Sequence, residues 1–208
     1  MFLTLFVVVI TSIVSFVAFN NLEMFNKLKF NAYLVWHKKE YARLLSHALV
    51  HSGWMHLIFN MYVLWMFGTM IEKAFQSPDF FPHTYQFGKF IYLFMYVIAI
   101  PISSLPSLLK HKNNHYYNSV GASGAVSAIV FTAILLAPTM PLGIIFIPIR
   151  LPAYIFGLLY LGYTYYMSKR DKDNIAHDAH FVGSVFGLLF PIILNPSLIH
   201  NFIFQVTQ

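Results

Sequence analysis

Six stretches of this chain are apolar enough and long enough to cross a lipid bilayer, and that pattern leaves few folds open. They run approximately over residues 2–20, 48–70, 88–109, 121–138, 143–168 and 179–197. A crossing helix needs about 20 apolar residues, and within hydrocarbon every backbone N–H and C=O must find a partner inside the protein. Helices meet that demand one segment at a time. The expectation is therefore an all-α membrane protein, a single domain over residues 1–208 with six transmembrane helices. Composition agrees: only 10% of the 208 residues are charged and 58% are hydrophobic, against about a quarter charged in soluble domains. The first stretch, FLTLFVVVITSIVSFVAF, has neither a basic leader nor a small-residue cleavage site, so it reads as a retained helix.

Cysteine is absent from the sequence, which excludes disulfides, thiolate metal sites and cysteine nucleophiles. The net charge of +6 is spread over loops with no Lys/Arg run. Nucleic acid is accordingly not an expected partner, whereas the lipid bilayer and its anionic headgroups are. No internal repeat is visible, which weighs against an inverted-repeat transporter. Residues 21–46 are too polar to span. Their alternation of Phe25, Phe30, Tyr33, Trp36 and Tyr41 with Lys27, Lys29, Lys38 and Lys39 suits a segment lying in the interface, with rings at headgroup level and lysines in water.

Six spans put both termini on one side. Loops 21–47, 110–120 and 169–178 then share a side and hold ten of the 13 Lys/Arg residues, leaving Lys73, Lys89 and Arg150 opposite. The positive-inside rule would make the ten-charge side cytoplasmic and the termini external.

Ionisable and polar groups inside spans are costly and mark candidate sites. In HALVHSGWMHLIFN (47–60), His47 and His51 are one helical turn apart, as metal ligands on a helix can be. His56 lies about 140° further round, so no three-histidine face forms; His47 and His51 read better as interfacial side chains. His56 and Asn60 do share a face, and their donors have a common direction. In NSVGASGAVSAIVF (118–131), Gly121, Gly124, Ala125 and Ala128 make a small-residue face for close helix packing, with Ser123 among them. In AHDAHFVGSVFGLLF (176–190), Ala179, Gly183 and Gly187 repeat at every fourth position and His180 borders that stripe. If the two small faces pack together, Ser123 and His180 approach each other. A serine hydroxyl needs an adjacent base to act as a nucleophile, and a neutral histidine can take its proton and return it to a leaving amine. An oxyanion formed in such a reaction needs donors. The Ser123 backbone N–H at a helix start, His56 and Asn60 are candidates. Asp178, two residues from His180, points elsewhere on a helix, so a dyad is the simpler arrangement.

The three motifs, HALVHSGWMHLIFN, GASGA and AHFVGSVFG, occur in this order, each on its own span. In them the chain resembles the rhomboid intramembrane serine proteases over nearly its whole length. The resemblance implies Ser123 as nucleophile, His180 as general base and the His56–Asn60 pair as oxyanion donors. Gly121 matches the glycine two before the serine, and Gly183 and Gly187 match the small positions behind the histidine. It also implies membrane-spanning helices as substrates, cleaved near one end beside small or helix-weakening residues, with no metal and no cofactor. Segment 21–46 is similar to the family's first loop. The implied location is a bacterial-type inner or plasma membrane, with cytoplasmic termini, contrary to the charge count. Two positions depart from the family. Ala42-Arg43 stands where Trp-Arg is common, and Ser127 stands where a tyrosine often stacks on the histidine. The second departure leaves open how the His180 ring is held. Two other classes remain at this point: an inactive rhomboid-like protein that binds membrane helices, and a metal-dependent enzyme or transporter using His47, His51, His177 and His180.

Overall fold

The computed structural model describes residues 2–143, 150–170 and 175–208. Positions 144–149, which the sequence assigns to the fifth span, and the loop residue Lys172 lie outside this set. The described helices are α1 (Phe2–Phe19), α2 (Leu22–Leu28), α3 (Ala32–Lys38), α4 (Arg43–Ser46), α5 (Trp54–Phe75), α6 (Gly88–His111), α7 (Ser123–Leu136), α8 (Ala153–Ser168), α9 (His177–Leu194) and α10 (Ser197–Thr207). Two short antiparallel pairs join β1 (Phe30–Asn31) to β2 (Asn118–Ser119) and β3 (Pro141–Gly143) to β4 (Arg150–Pro152).

This is an all-α membrane fold. Helices α1, α5, α6 and α9 have the length and hydropathy to cross a bilayer on their own. Helices α7 and α8, in the fourth and fifth expected spans, have 14 and 16 residues. The second helix starts at Trp54 rather than near residue 48, so His47 and His51 precede it in a 3-10 turn and a loop. They are therefore not neighbours on one helix face. Beyond the sixth expected span, Pro196 breaks the chain direction and the separate helix α10 follows.

Helix α1 shows how such a protein packs. Its buried residues are Thr4, Thr11, Ser15 and Ala18, one face of a 3.6-residue period, while Phe2, Leu5, Phe6, Val9, Ile13 and Phe16 are exposed. Lipid is as apolar as leucine, so burial between membrane helices selects small and hydrogen-bonding side chains instead of large apolar ones. At the start of α1, the fully buried Glu72 of α5 accepts from the backbone N–H of Leu3 (3.3 Å) and Thr4 (3.0 Å) and from the Thr4 hydroxyl (2.7 Å). A carboxylate from another helix thereby satisfies N–H groups that the first turn cannot pair itself.

Helix α7 is buried on nearly all sides, Gly124–Ile129 and Phe131–Leu136 included, as its all-round apolar sequence requires. At 14 residues it is about 21 Å long, shorter than the roughly 30 Å hydrocarbon layer. Its N-terminus is consequently set inside the protein, reached through residues 118–122.

Segment 21–46 folds into three short helices, and its β1 pairs with β2 on the approach to α7. Asn21 and Asn31 cap α2 and α3, their side-chain oxygens each accepting a backbone N–H at 2.9 Å. Arg43, which carries a loop charge in the sequence, is buried; its Nη1 donates at 2.8 Å to the carbonyls of both Asn26 and Lys29, and it pairs with Glu40. Trp36 and Tyr41 are exposed, as an interfacial segment requires. Phe30 differs from that expectation: it is wholly buried, because β1 pairs with β2 and turns the ring into a small core with Val35 and Leu108. The connection after α5 is likewise anchored, with Phe81 fully buried and stacked on Phe75 at 4.5 Å.

Candidate active site

The strand pairing at Asn118 and Ser119 delivers the chain to Gly121, whose N–H donates to the His47 carbonyl at 2.9 Å. Gly121 has φ = +108°, a conformation costly for any residue with a side chain. A Cβ at this position would also lie 2.7 Å from Cε1 and 2.9 Å from Nε2 of His56. The turn at Gly121 lets the chain start α7 directly, so Ser123 is its first residue. There its backbone N–H has no acceptor within the helix.

The small faces of α7 and α9 meet. A Cβ on Gly183 would overlap the Gly124 carbonyl, and one on Gly187 the Ala128 carbonyl. Thr132 Oγ1, 2.7 Å from the Gly187 carbonyl oxygen, adds a hydrogen bond across the same seam. Gly124 also accommodates Ser103 of α6, whose hydroxyl a Cβ would strike. At the top of the seam His180, in the first turn of α9, places Nε2 2.7 Å from Ser123 Oγ. A hydroxyl and an imidazole at this separation can exchange a proton.

His56 sits on the other side of Gly121. Its Nδ1 lies 3.0 Å from the Ser52 hydroxyl and 3.5 Å from the Ser52 backbone N–H. Because a backbone N–H can only donate, Nδ1 is held as the acceptor and Nε2 carries the proton. That Nε2–H is the nitrogen beside Gly121. Asn60, buried on α5, donates one amide N–H to the His56 carbonyl at 2.8 Å; its amide has a second N–H.

The remaining singled-out groups have other partners. His47 Nε2 is 3.0 Å from the Ser104 hydroxyl, and His51 Nδ1 is 2.9 Å from that of Ser15, which also donates to the Leu49 carbonyl. Asp178 accepts from Ser107 of α6 at 2.6 Å. Among the described residues, no three His, Asp or Glu side chains are gathered as a set of metal ligands. His47, Ser104, Gly121, Ser123, Ala176 and Ala179 line a small cleft at the N-terminus of α7.

Residues 38–197 match the Rhomboid domain. The chain belongs to the rhomboid family. The matched range contains His56, Asn60, Ser123 and His180, and leaves α1 and α2 outside. A relative, RHOMBOID-like protein 12, mitochondrial, of Arabidopsis thaliana, is 30% identical over 146 residues, which cover 68% of this chain and 43% of the relative. The aligned part thus spans less than half of that relative. As a rhomboid with several long apolar helices, the protein is an integral, multi-pass membrane protein.

The side chains beside these groups that sequence reasoning passed over include Ser52, Ser104 and Tyr160. Ser52 lies four residues before His56 in the same motif, a spacing that was open to notice. Ser104 and Tyr160 come from α6 and α8, and no local pattern marks them off from the other serines and tyrosines there.

Proposed function

We propose that this rhomboid is a serine endopeptidase that cleaves membrane-spanning segments of other proteins, using Ser123 and His180 as a dyad. The observation that carries the reading is the 2.7 Å contact between Ser123 Oγ and His180 Nε2, inside a family whose members are generally intramembrane serine proteases. In this reading a six-span domain over residues 1–208 holds the dyad within the bilayer.

Ser123 Oγ attacks the scissile carbonyl carbon while its proton passes to His180 Nε2. The carbonyl oxygen becomes an oxyanion. It receives hydrogen bonds from the Ser123 backbone N–H, from His56 Nε2–H and from the second N–H of Asn60, each donor worth roughly 3–4 kcal/mol in the transition state. Collapse of this intermediate breaks the C–N bond, and His180 gives its proton to the leaving amine. Water then attacks the acyl-serine with the same base and the same donors, restoring the Ser123 hydroxyl and releasing a carboxylic acid. Gly121, Gly124, Gly183 and Gly187 serve by allowing the close approaches described above. Asp178 stands apart, since its carboxylate is engaged by Ser107.

The test is treatment of purified protein in detergent with an isocoumarin or fluorophosphonate probe, beside cleavage of a model transmembrane substrate. The reading expects a covalent adduct at Ser123 and proteolysis, both lost in Ser123→Ala and His180→Ala. Unchanged proteolysis by Ser123→Ala would defeat it. Specific binding of membrane helices by an unreactive wild-type protein would instead assign the chain to the inactive, helix-binding class.

A further inference from the structure

Four residues after Ser123, on the same face of α7, stands Ser127, a small, buried side chain. Two rings lie beside the His180 imidazole: His177 of the same helix, edge-on with centroids 6.1 Å apart, and Tyr160 of α8, the one that lies face to face. The Tyr160 and His180 ring centroids are 6.5 Å apart with planes 22° from parallel, an offset arrangement inside the range of favourable aromatic pairs. Tyr160 is itself held. Its hydroxyl lies 3.3 Å from Ser127 Oγ, Phe131 of α7 approaches at 5.8 Å and Phe156, one turn earlier on α8, stacks at 6.2 Å.

We propose that Tyr160 is a positioning residue for His180, its ring restricting rotation of the imidazole so that Nε2 stays on Ser123 Oγ. The inference rests on the dyad reading above. An imidazole at the start of α9 has two rotatable bonds, and a flat neighbour stacked along one face removes the rotamers that would swing Nε2 away. Because Ser127 is small, α7 leaves this space open, and α8 fills it with a ring that α7 fixes through Ser127 and Phe131. The ring, not the hydroxyl, is the working part: Tyr160 Oη points to Ser127 rather than to His180.

The experiment compares wild type, Ser123→Ala, Tyr160→Phe, Tyr160→Leu, Tyr160→Met and Ser127→Ala. It measures the rate of fluorophosphonate labelling at Ser123, kcat and KM on a transmembrane substrate, and the melting temperature. Tyr160→Phe and Ser127→Ala should stay within about fivefold of wild type, the loss of one ordinary hydrogen bond. Tyr160→Leu should label about 10- to 100-fold more slowly, with the loss in kcat and KM unchanged. Tyr160→Met reads the same effect with a flexible filler, should the leucine variant fail to fold. Wild-type rates in the Leu and Met variants would overturn the inference. So would a Ser127→Ala variant as slow as Tyr160→Leu, which would make the residue a tie between α7 and α8, or a rise in KM alone, which would place it in substrate contact. A wild-type protein that neither labels nor cleaves is a different failure, that of the dyad reading itself.

Discussion

Gly183 of α9 lies against the carbonyl oxygen of Gly124 on α7 so closely that a methyl group at residue 183 would overlap it. The contact sits one turn below His180, so the separation of two helices and the separation of two reactive groups are one quantity. Gly183→Val must push α9 away by roughly 1 Å to bring its Cβ out to ordinary contact with the Gly124 carbonyl. A displacement of about 1 Å at a reacting pair costs about 100-fold in rate. Probe labelling at Ser123 should fall by that much, and a folded Gly183→Val protein with wild-type labelling would refute the link between packing and chemistry.

Gly121→Ala tests the entrance to α7. The substitution meets a positive φ and a Cβ position 2.7 Å from the His56 ring. The strain alone amounts to roughly 1–3 kcal/mol. Thermal unfolding in detergent should register the loss of stability, and kcat should drop because His56 or the Ser123 N–H must move. Full activity at an unchanged melting temperature is the contrary result.

Glu72→Ala isolates a contact remote from Ser123. It strips the N–H groups of Leu3 and Thr4 of their buried acceptor, at about 3 kcal/mol for hydrogen bonds to a charged group. The expected outcome is a lowered melting temperature with labelling of the surviving folded fraction unchanged. Stability equal to wild type would mean that α1 is anchored elsewhere.

Ser52→Ala removes the hydroxyl from His56 Nδ1 but keeps the backbone N–H. One hydrogen bond contributes about 1 kcal/mol, so kcat should fall about fivefold. An effect as large as that of His56→Ala, measured alongside, would mean that the hydroxyl alone sets the tautomer; no effect would remove Ser52 from the site.

Membrane orientation is open to a reporter fused after Gln208. The family pattern expects it in the cytoplasm, and the Lys/Arg count expects it outside. An external C-terminus would uphold the charge rule and overturn the orientation that the family pattern expects; a cytoplasmic one would do the reverse.

Much of this protein is written locally. An apolar run of sufficient length must be helical in lipid whatever surrounds it, so the helical membrane fold follows from residues alone. The stripe of Ala179, Gly183 and Gly187 follows from helical periodicity, which is equally local, and so does the common face of His56 and Asn60. The limits are visible in the same places. In HALVHSGWMHLIFN the Ser52-Gly53 pair is a local break before Trp54, but the path of the residues ahead of it depends on the His47 carbonyl meeting Gly121, 74 positions later. Phe30 is indistinguishable in sequence from the interfacial aromatics around it, and only its pairing opposite Ser119 buries it. Depth and rotation of each helix were decided in three dimensions. Between membrane helices the selected contacts are single hydrogen bonds and close backbone approaches, which leave no periodic hydrophobic trace. Thus Ser123 and His180 were each marked by their own segments, but that Tyr160 lies beside His180, and that Glu72 closes the start of α1, were settled only when α8 met α9 and α5 met α1.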